Sequence, residues 1–129
     1  MQMTPDKKKN KLYIVVPCYN EEQVLGETSK RLKIKCENLI QKGQISKDSK
    51  IVFVDDGSKD RTWKMISELH ETDSLFSGVK LSRNRGHQNA LLAGLTMASE
   101  HADMAISMDA DLQDDINAVD QMIEKYYEG

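Results

Sequence analysis

The chain has 129 residues, 39% hydrophobic and 30% charged, with a net charge of −3. That is enough for one globular domain with a core, and the acidic balance excludes a nucleic-acid binder that relies on a broad basic surface. No apolar run approaches the ~18–20 residues needed to cross a bilayer as a helix, and the two cysteines, Cys18 and Cys36, lack CxxC or zinc spacing, which favours a reducing, cytoplasmic setting over a disulfide framework.

Met1 to Lys11 carries Lys7-Lys8-Lys9 with no apolar stretch behind it, so it reads as a flexible solvated lead-in and not a signal peptide. Leu12 to Val16 is a continuous apolar run ended by Pro17, as expected of a strand buried on both faces. Glu21 to Lys42 then reads as a helix. Its apolar-side positions Val24, Leu25, Thr28, Leu32, Cys36, Leu39 and Ile40 recur every three or four residues, Gly43 stops it, and Asn20 is a candidate N-cap. Ile51 to Val54 is a second strand and Arg61 to Glu71 a second helix, with Trp63, Ile66 and Leu69 inward. Val79 to Leu81 is a short third strand. His87 to His101 is a third helix whose inward positions Ala90, Leu91, Gly94, Leu95 and Ala98 are small enough in part to let it lie close to a sheet. Met104 to Met108 is a fourth strand. Ile116 to Glu128 is a fourth helix, with Ile116, Val119, Ile123 and Tyr126 or Tyr127 inward and Asp114 or Asp115 near its N-terminus.

Four strand–helix repeats with short apolar strands imply an α/β fold: a Rossmann-like, mostly parallel sheet with helices on both faces. In such a sheet the carboxyl ends of all strands lie along one edge, where open α/β sheets bind ligands. Every unusual polar cluster of the sequence falls there. Pro17-Cys18-Tyr19-Asn20-Glu21 follows the first strand, Asp55-Asp56-Gly57-Ser58 the second, Ser82 to His87 the third, and Asp109-Ala110-Asp111-Leu112-Gln113 the fourth. Two carboxylates one residue apart repel each other unless a cation lies between them. Hard Mg²⁺ and Mn²⁺ ions take oxygen ligands and often combine one or two carboxylates with substrate phosphates, so Asp109 and Asp111 point to a metal–diphosphate site. A solvated acidic turn is the plainer reading of that pair by itself. Asp55-Asp56-Gly57-Ser58 reads either as a turn or as an acceptor for an N–H on a nucleobase edge. Tyr19 and Glu21 read either as a helix entry or as contacts to base and ribose. Arg83, Arg85 and His87 precede a helix N-terminus, a natural anion site, though surface solubility accounts for them too. There is no GxxxxGK[ST] loop, GxGxxG turn, GxSxG elbow or HExxH pair, so P-loop kinases, ordinary dinucleotide enzymes, α/β-hydrolases and zincins fall away.

Taken together, Val15 to Glu22, Val54 to Thr62, Leu81 to Asn84 and Met108 to Asp114 resemble the family-two glycosyltransferases. The nearest branch is the polyprenyl-phosphate sugar transferases, the dolichol-phosphate mannose synthases and bacterial bactoprenol glucosyltransferases; Gly86 to Leu95 is similar to the latter. The resemblance covers residues 12 to 129 and implies the nucleotide-sugar-binding half of a glycosyltransferase A fold, truncated at its C-terminus, after a lead-in at 1–11. By position it puts Pro17, Tyr19, Glu21, Val54 and Asp56 around the nucleoside. Asp109 and Asp111 would bind metal and diphosphate, with Ala110 allowing close backbone approach and Gln113 adding a metal ligand or sugar contact. It implies Mg²⁺ or Mn²⁺ as cofactor and a nucleotide-diphosphate sugar as donor, UDP-sugar favoured over GDP-mannose. The implied acceptor is a polyprenyl phosphate at the cytoplasmic face of a membrane. The implied chemistry is inverting, the acceptor oxygen attacking the anomeric carbon opposite the leaving diphosphate. Acceptor-side catalytic residues would lie beyond Gly129, no nucleic-acid partner is expected, and a homo-oligomer is compatible. Arg85 stands where the family often has an aromatic residue, and Asp115-Ile116 replaces a common proline-containing helix start. The rival readings are a non-catalytic nucleotide-binding or interaction module and a metal-dependent nucleotidyltransferase-like enzyme.

Overall fold

The computed structural model describes residues 10–111 and 116–128. The elements alternate as β1 (Leu12–Cys18), α1 (Leu25–Gln41), β2 (Lys50–Asp55), α2 (Thr62–Thr72), β3 (Phe76–Lys80), α3 (His87–His101), β4 (Met104–Ser107) and α4 (Ala118–Glu128). All pairings are parallel, and the sheet order is β3-β2-β1-β4. The chain grows outward from β1 through β2 to β3, then returns to the other side of β1. The strand order therefore reverses between β1 and β4, the topological switch point at which open α/β sheets hold ligands.

Burial on both faces explains why the β1 and β2 segments are uninterrupted apolar runs. Their alternate side chains feed two cores. Leu12, Ile14, Val16, Ile51 and Phe53 meet Leu25, Leu32, Cys36 and Leu39 of α1, Ile66 of α2, and Val119 and Ile123 of α4. Val15, Val52 and Val54 face Ala90 and Ala98 of α3 on the opposite side. Three helices thus cover one face and α3 alone the other. Cover on that second face is incomplete. Ala105 and Ser107, aligned beside Tyr13 and Val15, are exposed, so β4 is not buried on both sides as expected.

Several boundaries differ from the sequence expectation. β1 runs through Pro17, which pairs with Val54 on β2, while pairing to β4 stops at Val15–Ser107. Pro17 is therefore beyond the stretch where a missing N–H would break a second ladder. α1 begins at Leu25, not Glu21, because the chain makes a turn first: the amides of Val24 and Leu25 both donate to the Glu21 carbonyl. Asn20 is not its N-cap; it sits in the left-handed region (φ 52°). β3 starts three residues early, at Phe76, after a turn in which the Leu75 amide donates to the Asp73 carboxylate. In α4 the inward tyrosine is Tyr127, whose hydroxyl donates to the Gln44 carbonyl at 2.8 Å, while Tyr126 is exposed. The Ile116 expected to open that helix lies in the turn before it, and Asp114 and Asp115 fall outside the described residues. Among the described residues no helix is long and apolar enough to cross a membrane.

The close seating of α3 depends on Gly94. A Cβ there would lie 2.4 Å from Val15 Cγ1 and 2.8 Å from Val54 Cγ2. Both neighbours are β-branched and stiff. Gly94→Ala is expected to lose about 1–3 kcal/mol to overpacking, offset by ~1 kcal/mol of helix propensity. Net destabilisation in a urea titration checks this; an unchanged or raised midpoint would contradict it.

Candidate functional site

A cleft of about 440 Å³ opens at the switch point, within the usual size for a small-molecule site. Its lining comes from the polar clusters after all four strands, with one residue of α3. β1 and its loop give Pro17, Cys18, Tyr19 and Glu21; the loop after β2 gives Asp56; the β3–α3 junction gives Asn84, Gly86 and His87, and α3 Ala90; the turn after β4 gives Asp109, Ala110 and Asp111. Of the residues expected from sequence, the cleft collects Pro17, Tyr19, Glu21, Asp56, Asp109, Ala110 and Asp111. Val54 is not brought to it: the side chain is fully buried beneath α3, against Gly94. Gln113 lies outside the described residues. Arg83 and Arg85 are exposed and do not line the cleft, whereas Asn84 and His87 between and beside them do.

The loops are tied together before any ligand enters. The loop after β1 rests on the loop after β2. The Asn20 amide donates to Ser58 Oγ at 2.8 Å, and the Lys59 amide donates back to Asn20 Oδ1 at 2.9 Å. The Glu21 amide donates to Thr62 Oγ1 at 2.8 Å and the Glu22 amide to Asp60 Oδ2 at 3.2 Å. Burial pushes the Asp60 carboxyl up, but bonds from the Thr62 hydroxyl and from the Thr62 and Glu22 amides outweigh it and leave it below the usual range. The left-handed Asn20, an unfavourable backbone for most residues, is held by this exchange.

The β2 loop in turn holds the β3–α3 loop. Asp56, only 3% exposed, accepts from the Arg85 amide at 2.7 Å (Oδ1) and from the Gly86 amide at 3.1 Å (Oδ2). Charge-assisted bonds of this kind are the stronger class. Gly57 (φ +75°) lies so close to the same loop that a Cβ would come within 2.5 Å of the backbone of Arg83 and Asn84. The Asp-Gly pair thus serves as a turn and as a seat for the next loop. Beside it, Asp55 is fully buried; its Oδ1 accepts from the Ser58 amide at 3.3 Å, and its Oδ2 has no partner among the described residues.

The electrostatics of the cleft are acidic. Burial raises the Glu21 carboxyl above its usual range, and the neighbouring Asp111 and Asp60 carboxylates push it further. Burial likewise pushes the Cys18 thiol up, aided by Glu21 and Asp55, so it is not a thiolate nucleophile. Asp109 and Asp111 flank Ala110, which is 4% exposed and packs into the main core. Among the described residues no group of three or more His, Cys, Asp and Glu side chains is placed to hold a metal without other ligands. The two oxygen donors that are placed, Asp109 and Asp111, suit a hard divalent ion whose remaining ligands come from phosphate and water.

Comparison with known proteins agrees with this architecture. The sequence model described as Glycosyl transferase family 2 matches residues 13–129, and the chain belongs to that family. It is 52% identical over 118 residues to the uncharacterized glycosyltransferase YkoT of Bacillus subtilis, covering 92% of this chain and 35% of that protein. It is 35% identical over 128 residues to the undecaprenyl-phosphate 4-deoxy-4-formamido-L-arabinose transferase of an Enterobacter species, covering 98% and 37%. The chain thus spans about a third of the length of these relatives. Among solved structures it is similar to residues 1–349 of Staphylococcus aureus TarS in complex with UDP (TM-score 0.64, 20% identity, 91% of this chain and 33% of that one). It is also similar to the mannosyltransferase PcManGT of Pyrobaculum calidifontis in complex with GDP-Man and Mn²⁺ (TM-score 0.61, 23% identity, 84% and 30%). These likenesses establish the glycosyltransferase A type of fold.

Sequence reasoning did not single out Cys18, Asn84, Gly86 or Ala90 as lining residues. Asn84 and Gly86 carry one signal in the sequence: both sit in the polar cluster after β3, Asn84 between Arg83 and Arg85 and Gly86 just after them.

Two measurements check this geometry. In the folded chain Glu21 should titrate above the ordinary glutamate range by carboxyl ¹³C NMR. Asp111→Asn should lower that value without fully restoring it, since burial, the larger cause, persists; no movement would place Asp111 away from Glu21. Gly57→Ala should cost about 1–3 kcal/mol from the left-handed backbone alone. It should also disturb the Arg85 and Gly86 amide resonances, whereas a change confined to the β2 turn would separate the two loops.

Proposed function

We propose that this chain forms the donor side of a glycosyltransferase that moves a sugar from a nucleotide-diphosphate sugar to a polyprenyl phosphate. The observation that carries the reading is the convergence of Tyr19, Glu21, Asp56, Asp109 and Asp111 on one cleft at the switch point of the sheet. In this reading Pro17, Tyr19, Glu21 and Asp56 take the nucleoside. The Tyr19 ring, 40% exposed, packs beside the base, and Asp56 accepts from a base N–H through lone pairs that Arg85 and Gly86 leave free. Asp109 and Asp111, with Gln113, would hold Mg²⁺ or Mn²⁺, and the chemistry supplied there would be positive charge to offset the negative charge that develops on the departing diphosphate. The chain's own part is to fix the donor so that its anomeric carbon faces the acceptor.

The acceptor assignment is supported by relatives named for an undecaprenyl-phosphate transferase. A phosphate acceptor also suits the chemistry, because its second pKa of about 6 leaves an oxyanion available near neutrality without a strong protein base. UDP is favoured over GDP by the resemblance to the bactoprenol branch.

Calorimetric titration with UDP and GDP, with Mn²⁺ and with chelator, tests the donor site. Metal-enhanced binding of one nucleotide is expected, with the enhancement lost in Asp111→Ala. A folded sample that binds neither nucleotide would sink the donor reading, and an Asp111→Ala titration identical to that of the unaltered chain would sink the metal assignment.

A further inference from the structure

Thr28 stands on the buried stripe of α1, between Leu25 and Leu32, at a position where an aliphatic side chain would be expected. It is 2% exposed. A buried hydroxyl needs a partner, and in a helix Ser and Thr usually find one locally, in the carbonyl three or four residues back. Ser29 does so, donating to the Gly26 carbonyl at 2.9 Å. Thr28 does not. Its Oγ1 donates to the carbonyl oxygen of Ala110, 82 residues further along, in the turn after β4.

That carbonyl belongs to the peptide joining Ala110 to Asp111. Its plane also carries the Asp111 amide and Cα, so holding the oxygen holds the point from which the Asp111 side chain leaves the turn. The turn is pinned upstream as well: the Met108 amide donates to the Val15 carbonyl at 3.0 Å. Between the two anchors the Ala110 methyl is seated in the core. Asp109 and Asp111 are thereby held on either side of a residue that cannot move without opening the core. The Thr28 hydroxyl is a buried polar side-chain anchor of this arrangement.

The structure assigns to Thr28 the role of a positioning residue: its hydroxyl orients the Ala110–Asp111 peptide so that Asp109 and Asp111 present their carboxylates together to a divalent cation. This rests on the donor-site reading above. Partners behind metal ligands typically change metal affinity by 10–100-fold when removed.

The test uses UDP titrations of the chain with Mn²⁺ and with chelator, in Thr28→Val, which keeps the volume and removes the donor, and in Thr28→Ser, which keeps the donor. Thr28→Val should weaken UDP binding at least about tenfold when Mn²⁺ is present. It should leave the metal-free affinity within about twofold of the unaltered chain, and Thr28→Ser should restore most of the difference. The Asp111 amide resonance should move in Thr28→Val and stay near its place in Thr28→Ser. If Thr28→Val melts near the assay temperature, Thr28→Ala against Thr28→Ser makes the same comparison. Equal losses with and without Mn²⁺ would mark general damage and overturn the assignment. So would Thr28→Val behaving as the unaltered chain, or Thr28→Ser failing as badly as Thr28→Val. An unaltered chain that shows no Mn²⁺ enhancement would instead overturn the donor-site reading, and the assignment with it.

Discussion

Parallel strands deliver all their carboxyl ends to one edge, and the order β3-β2-β1-β4 makes β1 the neighbour of both β2 and β4. That adjacency is the constraint on which the cleft depends. The residues after β1 and after β4 are about 90 positions apart in sequence, yet register pairs Val15 with Ser107 and so places Pro17–Tyr19 beside Met108–Asp111. β2, on the other flank of β1, brings Asp56 up through the Cys18–Asp55 pair. Seen this way, the cleft is set by backbone ladders first. The side chains lining it need only be chosen for chemistry.

The acidic groups in the cleft and in the loops beside it are not all held alike. Asp56 and Asp60 are committed to the protein: each accepts backbone amides or a hydroxyl, and each ties one loop to another. Glu21 differs: burial first, then the neighbouring Asp111 and Asp60 carboxylates, push its carboxyl up. A fold that keeps such neighbours must hold them from elsewhere. Here the holding comes from the Glu21 amide on Thr62, and from the core-seated Ala110 with its carbonyl on Thr28.

What the sequence made legible follows the same division. β1 and β2 announce themselves because double-sided burial demands unbroken apolar runs, and α3 keeps the expected bounds because its stripe of small residues continues from Ala90 to Ala98. β3 is blurred by Ser77 and Gly78; the glycine is there because a Cβ would lie 2.6 Å from Ile66, a contact visible only once α2 is packed. The start of α1 is hidden because Glu21–Val24 has helix-like composition but spends its carbonyl on a turn. At the cleft, residues that follow strands directly were identifiable from position, as Asp109, Asp111 and Asp56 show. Roles exerted through space were not. Val54 was expected near the nucleoside and packs under α3, while Thr28 looked like one more stripe position.

Asp56 shows how the two levels of the structure meet. A carboxylate offers about four lone-pair positions, and the Arg85 and Gly86 amides take one on each oxygen. In the proposed donor site a base N–H would have to use what remains, on a group held in place because two amides and the Gly57 contact fix the loop on its far side. On that reading recognition at Asp56 would be rigid, the base coming to the carboxylate in a fixed plane, and the same bonds set the Asn84–His87 wall of the cleft. Asp56 thus ties the placement of the β3–α3 loop to one wall of the cleft. Under the proposed donor reading, whatever shifts that loop would shift the edge against which a base is read, even where the substituted residue never touches the nucleotide.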